Sequence, residues 1–334
     1  MRAAILAPVA WRTPPRHYGP WEQVASNIAE GLIKLGVEVT LFATGDSITG
    51  GELESICKAG YEEDRTQDAK VLECLHISNL MEKADKFDII HNNFDFLPLT
   101  YSGLIKTPAI TTIHGFSSPR IIPVYKKYNS IGHYVSISNA DRSAELEYIA
   151  TVYNGLNTEE FTFTQVPEDY LLFFGRIHHD KGAAEAIQIA KKAKKRLLIA
   201  GIIQDENYWK EKVEPYLDEQ IKYIGHAGPE KRNELLGKAA ALLHPINFAE
   251  PFGMSVAEAM LCGTPVIAFN KGSMPELIQH ERTGFLVDNV EEAVDAVEKL
   301  SSISRERCRD WAASQFSAEK MAGDYFKLYQ QILQ

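Results

Sequence analysis

The amino-acid sequence predicts an α/β fold made of two domains, each built on a parallel β-sheet. Short apolar runs alternate with segments of helical periodicity, which is the pattern of βα units around such a sheet. The alternation is interrupted by a polar segment at 157–169, which contains Pro167, and then starts again. A chain of 334 residues also suits two domains of ~100–200 residues each. We therefore expect two sheets of similar size joined near residue 160.

The first half contains five apolar runs of strand length. Between the first two runs, Val24, Ile28 and Leu32 recur at helical spacing, and Gly36 supplies a stop signal. The predicted strands are 3–9, 37–43, 87–91, 109–114 and 134–138, and the predicted helices are 21–35 and 67–83.

The second half repeats the alternation. The predicted strands are 170–176, 196–200, 221–224, 241–244 and 265–269. The predicted helices are 183–194, 207–217, 229–237, 253–261, 290–300 and 305–314, followed by a strongly periodic helix at 318–333. These elements predict a domain of residues 1–157, a second of 158–316, and a final helical segment of 317–334.

Composition and charge exclude several classes of protein. With 35 basic and 45 acidic residues the net charge is −10, which does not favour the phosphate backbone of a nucleic acid. Four cysteines lie far apart without metal-finger spacing, which suits a reducing compartment. No window approaches the ~20 apolar residues of a membrane span. We expect a soluble, cytoplasmic protein without a nucleic-acid partner.

Several common motifs are missing. There is no GxGxxG fingerprint for a dinucleotide and no GxSxG elbow for a nucleophilic serine. The Walker A pattern fails because Arg232 stands where its first glycine is needed. No Asp-x-Asp pair occurs, so the usual signature of a diphosphate held through a metal ion is also missing.

The segment from Glu250 to Glu258 is the sharpest local feature. Pro251 and Gly253 resist an interior helical position, so we expect Glu250 in a loop and Glu258 about one turn inside the following helix. Free amides at the start of that helix bind anions, whereas carboxylates prefer hydroxyl donors. A nucleotide sugar offers both groups. The alternative is a solvated Glu250 and a Glu258 on an exposed helix face.

A second feature runs from Gly175 to Lys181. A buried strand ends at Gly175, and Arg176 and Lys181 follow in the loop before a helix. Without a metal ion, fixed cations of this kind must stabilise a departing diphosphate. The alternative is that Lys181 is a surface charge and Arg176 pairs with a carboxylate. We interpret His178 and His179 as solvated loop residues and expect no metal site.

These two stretches resemble those of the retaining glycosyltransferases of family 4. The Glu-x7-Glu element matches at Glu250 and Glu258, and the Gly-Arg…Lys-Gly element matches at Arg176 and Lys181. The resemblance implies a GT-B fold, in which two Rossmann-like domains face each other across a cleft and a C-terminal helix crosses back to the first domain. It spans nearly the whole chain, and its N-terminal part includes Gly19, Trp21, Glu22, His91, His114, Gly115 and 153–157.

The resemblance also implies roles for single residues. Arg176 and Lys181 would hold the diphosphate, Glu258 the ribose hydroxyls and Glu250 the hydroxyls of the donor sugar. His114 would lie near the 6-position of that sugar. The remaining donor-binding positions are Gly19 and Gly175 in their loops and the backbone of Phe252, Gly253, Met254 and Ser255.

Two positions depart from the family pattern. Pro20 replaces the second glycine of the first loop and removes one backbone donor. Asn93 stands where a second histidine often follows His91.

The sequence thus predicts a retaining, metal-independent transferase that moves a hexose from a nucleoside diphosphate sugar to an acceptor hydroxyl. A UDP-sugar is favoured, a GDP-sugar is the other choice, and no cofactor is expected beyond this co-substrate. The acceptor class (small molecule, glycan or lipid-linked), peripheral membrane contact and the oligomeric state stay open. The alternatives are a nucleotide-sugar epimerase or hydrolase of the same fold, or a non-catalytic module that binds nucleotide sugars.

Overall fold

The computed structural model describes residues 1–116 and 118–334. The chain forms two compact units. The N-terminal unit comprises Met1–Leu156 together with Ala318–Gln334, and the C-terminal unit comprises Asn157–Ser317. Each unit contains one sheet whose strands all pair in parallel. The predicted α/β class with two parallel-sheet domains is confirmed.

The N-terminal unit has a seven-stranded sheet in the order β3-β2-β1-β4-β5-β6-β7. Its strands are β1 Arg2–Leu6, β2 Glu38–Phe42, β3 Glu52–Glu54, β4 Ile89–Asn92, β5 Ala109–Ile113, β6 His133–Ser136 and β7 Ala150–Thr151. Its first three helices are α1 Pro20–Lys34, α2 Ala69–Met81 and α3 Ile122–Tyr128.

The register of the central strands explains why β1 is apolar from Ala3 to Leu6. Ile5 of β1 lies opposite Leu41 of β2 and His91 of β4, and all three side chains are fully buried. A strand covered on both faces has no position for a solvated side chain.

The C-terminal unit has a six-stranded sheet in the order β10-β9-β8-β11-β12-β13. Its strands are β8 Tyr170–Phe174, β9 Arg196–Ala200, β10 Ile221–Tyr223, β11 Ala241–His244, β12 Val266–Phe269 and β13 Gly284–Val287. Its helices are α4 Ala183–Lys192, α5 Glu206–Tyr208, α6 Pro229–Lys238, α7 Met254–Leu261, α8 Met274–Leu277, α9 Val290–Glu298 and α10 Arg305–Phe316.

The helices differ from the prediction at three places, since α3 and α8 were not predicted and one predicted helix is irregular. The expected helix at 207–217 is instead a sequence of α5, a π turn at Trp209–Val213 and a 3-10 turn at Glu214–Tyr216. Pro215 lacks an N–H group and therefore cannot continue a regular α-helix.

None of the helices in the described ranges combines the length and apolar character that crossing a membrane requires.

The last helix, α11 Ala318–Ile332, packs against α1 in the N-terminal unit. A buried hydrogen-bond network fastens it to the sheet. The Tyr329 hydroxyl lies 2.7 Å from His91 Nδ1, and His91 Nε2 lies 2.7 Å from Thr112 Oγ1. The Tyr325 hydroxyl lies 2.6 Å from the same Thr112 oxygen. His91 therefore serves the structure of this unit.

Candidate functional site

Lys181 and Glu250 form a largely buried ion pair in the C-terminal unit. Lys181 ends a 3-10 turn in the loop between β8 and α4, and Glu250 lies in the loop before α7. The Lys181 ammonium donates a hydrogen bond to Glu250 Oε2, and the two side chains are 15% and 12% exposed. Neither residue is a solvated surface charge, so the surface alternatives for both are wrong.

His244 and Phe248 enclose this pair. His244, the last residue of β11, places Nε2 3.6 Å from Glu250 Oε2, and the Lys181 ammonium lies 4.6 Å from the centre of the Phe248 ring. Burial raises the pKa of Glu250, but His244 and Lys181 outweigh it and hold that pKa below its ordinary value. Glu250 is therefore ionised. When an anionic ligand binds Lys181, the ligand replaces the Glu250 carboxylate as the negative partner of the ammonium group.

The loop that carries Glu250 is held from behind by Gly272 and Ser273. The Ser273 amide donates to the Glu250 carbonyl at 2.9 Å, and the Ser273 hydroxyl donates to the Phe252 carbonyl at 2.6 Å. Gly272 has a φ of 56°, and a Cβ there would overlap the Glu250 backbone. The sequence does not reveal these two residues because they act through backbone contacts across the fold.

The start of α7 provides backbone donors beside Glu250. The amides of Met254 and Ser255 are the first two of the helix, and the first amides of an α-helix have no partner in a preceding turn. Gly253 caps it with a φ of 93°. The Phe252 side chain is buried against Phe316, with ring centroids 5.6 Å apart, so it belongs to the core and offers a ligand only its backbone.

Glu258 lies in the second turn of α7 and is 7% exposed. Its Oε1 accepts a hydrogen bond from Arg232 Nη1 of α6 at 3.0 Å. Burial raises the pKa of Glu258, and the Arg232 charge opposes that rise. The alternative of an exposed helix face is therefore wrong, and Arg232 is a partner that the sequence did not reveal.

Arg176 follows β8 and donates a hydrogen bond to the side-chain oxygen of Gln204. Within the described ranges it forms no ion pair with a carboxylate, so that alternative is also wrong. The preceding Gly175 donates its amide to the Ala200 carbonyl at 3.0 Å, which ties the loop to β9. Among the described residues, no carboxylate thus neutralises the guanidinium charge of Arg176.

Two predicted positions lie in the N-terminal unit. Gly19 caps α1 with a φ of 151°, and a Cβ there would lie 2.8 Å from Pro15 and 3.0 Å from the Glu22 carboxylate. His114 follows β5, and its ring stacks on Trp21 with centroids 5.6 Å apart.

His114 is held as a neutral imidazole. Its Nε2 pairs with the Asn93 side-chain oxygen at 3.1 Å, whereas its buried Nδ1 has no partner among the residues described. Burial lowers the pKa of His114 to about 3. Asn93, which departs from the family pattern, is therefore the residue that orients this histidine.

His178, His179 and Asp205 place three ligand atoms, suited to a metal ion, within 4.8 Å of one another. Two of these side chains already support the loop structure. His178 Nδ1 accepts the Asp180 amide at 3.3 Å, and Asp205 caps α5 by accepting the Tyr208 amide at 3.0 Å. The expectation that no metal binds here stays a prediction.

Comparison with known families gives this geometry a context. A model for "Glycosyl transferases group 1" matches residues 158–315, and a model for "Glycosyltransferase Family 4" matches residues 21–160. Together these two matches cover both units apart from the ends of the chain. The chain belongs to the family 4-like glycosyltransferases.

Individual relatives agree with this membership. A glycosyltransferase of uncharacterised function from Methanocaldococcus jannaschii, MJ1607, is 22% identical over 97% of this chain and 94% of its own length. AviGT4, a glycosyltransferase involved in avilamycin A biosynthesis, has a similar crystal structure, with a TM-score of 0.74 and 23% identity, covering 100% of this chain and 98% of its own.

The HepE protein of Anabaena, crystallised with UDP, aligns with a TM-score of 0.76 and 17% identity, covering 99% of this chain and 100% of its own. The two Rossmann-like units of this glycosyltransferase thus have the GT-B type of fold, as predicted.

Proposed function

We propose that the protein is a retaining glycosyltransferase that moves a hexose from a nucleoside diphosphate sugar, most favourably a UDP-sugar, to an acceptor hydroxyl. The observation that carries the proposal is the buried pair of Lys181 and Glu250 beside the free amides of α7. It combines a cation for phosphate with an ionised carboxylate for hydroxyl groups. A nucleotide sugar carries both of those groups next to each other.

Each charged side chain has a role in this proposal. Arg176 and Lys181 hold the diphosphate, Glu250 accepts hydrogen bonds from the donor sugar, and Glu258 accepts them from the ribose. Gly175 and the backbone of residues 252–255 complete the donor site. On likeness to the family, we assign Gly19 to the diphosphate and His114 to the sugar.

The reaction needs charge stabilisation more than it needs a strong base. The bond between the anomeric carbon and the diphosphate oxygen breaks, and negative charge collects on that oxygen. Arg176, Lys181 and the α7 amides stabilise this charge because they are already in place before the bond breaks. The acceptor oxygen bonds to the anomeric carbon on the same face, and its proton passes to the departing diphosphate oxygen. The configuration at the anomeric carbon is thereby retained.

We further propose that the transfer does not depend on a divalent metal. The two cations occupy the role that a metal ion plays in enzymes with an Asp-x-Asp pair, which this sequence lacks. The choice of UDP is supported by the crystal structures of Anabaena HepE with UDP and with UDP-glucose. Activity is expected to survive EDTA, whereas complete loss restored by Mn²⁺ would contradict the metal-free proposal.

Incubation with UDP-, GDP- and ADP-sugars, with mass spectrometry of the products, tests the proposed function. A glycosylated acceptor with release of nucleoside diphosphate supports transfer. Free sugar or an isomerised sugar without any acceptor indicates a hydrolase or an epimerase. Binding in a thermal-shift assay without any product indicates a non-catalytic module, and no binding of any donor contradicts the proposal altogether.

A further inference from the structure

Arg232 lies outside the motifs of the sequence yet contacts the carboxylate of Glu258. It projects from α6, and its Nη1 lies 3.0 Å from Glu258 Oε1 on α7. The two side chains are 23% and 9% exposed. An ion pair with so little access to water restrains both of its members more than a surface pair does.

The guanidinium of Arg232 is held from two other directions. Its central carbon lies 5.1 Å from the ring centre of Phe161, and Nη2 lies 3.9 Å from Glu160 Oε2. Its Nε is buried without a hydrogen-bond partner in the described part of the chain. Leaving a buried donor unpaired is unfavourable. The position of this guanidinium beside Glu258 therefore has a cost in the stability of the folded state.

The contact leaves one oxygen of Glu258 for a ligand. Oε1 is taken by Arg232, whereas Oε2 accepts no hydrogen bond from the residues that the structure describes. A ribose hydroxyl needs an acceptor, which an ionised carboxylate provides and a protonated one provides less well. Burial favours the protonated form of Glu258, and Arg232 is the cation beside it that favours the ionised form.

We propose that Arg232 is a positioning residue for ribose recognition, which holds Glu258 so that its free oxygen accepts a hydrogen bond from a hydroxyl of the nucleotide ribose. The site then selects ribonucleoside diphosphates over their 2′- or 3′-deoxy counterparts. This inference rests on the proposed function, because it takes Glu258 as the group that binds ribose.

Isothermal titration calorimetry on the full chain tests the proposal. UDP, GDP and ADP are compared with their 2′-deoxy and 3′-deoxy analogues, and the discrimination ratio is the Kd of the deoxy form divided by that of the ribo form. For the best-bound nucleotide we expect a ratio of about tenfold or more with one of the two analogues, as for a hydrogen bond to a charged group. Glu258→Gln should lower this ratio severalfold.

Arg232→Met should lower the ratio by a similar factor, and Arg232→Lys should restore part of it because it returns the positive charge. Arg232→Gln is a second neutral variant, for use if the methionine variant does not fold. The matched control is Lys231→Met on the same helix, because Lys231 is exposed and its ion pair within the described ranges is with Glu234. This control should leave the ratio unchanged.

The outcomes separate the two proposals. If Arg232→Met weakens ribo and deoxy forms equally, while Glu258→Gln removes the discrimination, Arg232 supports only the fold and the inference is overturned. If the wild type binds nucleotides without discrimination, the inference is likewise overturned but donor binding stands. If it binds none of the three nucleotides, the proposed function fails together with the inference.

Discussion

Replacing Lys181 with methionine removes the cation that faces Glu250 while keeping a side chain of similar length. Both groups are nearly buried, and the wild-type pKa of Glu250 lies below its ordinary value because His244 and Lys181 outweigh burial. Two unit charges about 4 Å apart at an effective dielectric constant of about 20 attract each other by about 4 kcal/mol. Measured losses from removing one member of a buried pair are about 3–5 kcal/mol. Loss of the cation–π contact with Phe248 acts in the same direction.

We therefore expect Lys181→Met to lower the free energy of unfolding by about 3 kcal/mol at pH 7. Urea unfolding at equilibrium measures this value. The double variant Lys181→Met/Glu250→Gln removes both charges and should recover most of the loss. The matched control is Lys192→Met, which breaks an exposed pair with Glu291 and should change stability by less than about 1 kcal/mol.

Activity separates the two roles of the lysine. Turnover should fall by about 10²-fold in Lys181→Met, because a cation that stabilises the leaving diphosphate is gone. The double variant should not recover turnover even where it recovers stability. A Lys181→Met protein as stable as the wild type, or a double variant as unstable as the single one, would refute the electrostatic reasoning; unchanged turnover would remove Lys181 from the mechanism.

Three further predictions concern other parts of the chain. Arg176→Ala should lower turnover by about 10²-fold. It should change the free energy of unfolding by less than about 1 kcal/mol, since the partner of Arg176 is the neutral Gln204. A turnover equal to that of the wild type in kinetic assays would contradict this prediction. Burial raises the pKa of Glu22 from 4.5 to about 7. The stabilisation that Glu22 gives the folded state is therefore complete below pH 4.5, and the free energy of unfolding falls by about 3 kcal/mol as the pH rises from there through 7. Urea unfolding at pH 5 and pH 8.5 should show this decline in the wild type and a weaker one in Glu22→Gln, and equal declines would exclude Glu22 as its source. Tyr329→Phe leaves His91 Nδ1 buried without a partner and should lower the free energy of unfolding by about 1–3 kcal/mol; an unchanged urea midpoint would show that the contact contributes nothing.

Much of the fold could be predicted because its signals are local. Apolar runs such as β1 and β8 must be buried wherever they occur, and Gly36 marks a helix end by its own chemistry. The short strands β3, β7 and β13 gave no such signal. β3 and β7 have only three and two residues, too few for an apolar run, and β13 begins with a glycine, a residue that is depleted in strands.

The candidate site likewise contains residues that could be predicted from the sequence and residues that could not. Arg176, Lys181, Glu250 and Glu258 follow strands or open a helix, so their positions could be predicted from short stretches of sequence. Their partners could not, because each approaches from a distant part of the chain. In the sequence, Arg232 stands out only as the residue that breaks a phosphate-loop pattern. Its contact with Glu258 depends on how two helices pack.

The position of α11 has a consequence for how the protein is made. Residues 318–334 complete the N-terminal unit, yet a ribosome synthesises them only after the whole of the C-terminal unit. Until then His91 and Thr112 lack their tyrosine partners, and the face of α1 that α11 covers is open to solvent. The C-terminal unit is one continuous stretch of chain, so all of its residues have been synthesised before α11. Residues 1–156 expressed alone would keep that gap permanently, and adding 318–334 as a separate peptide should close it.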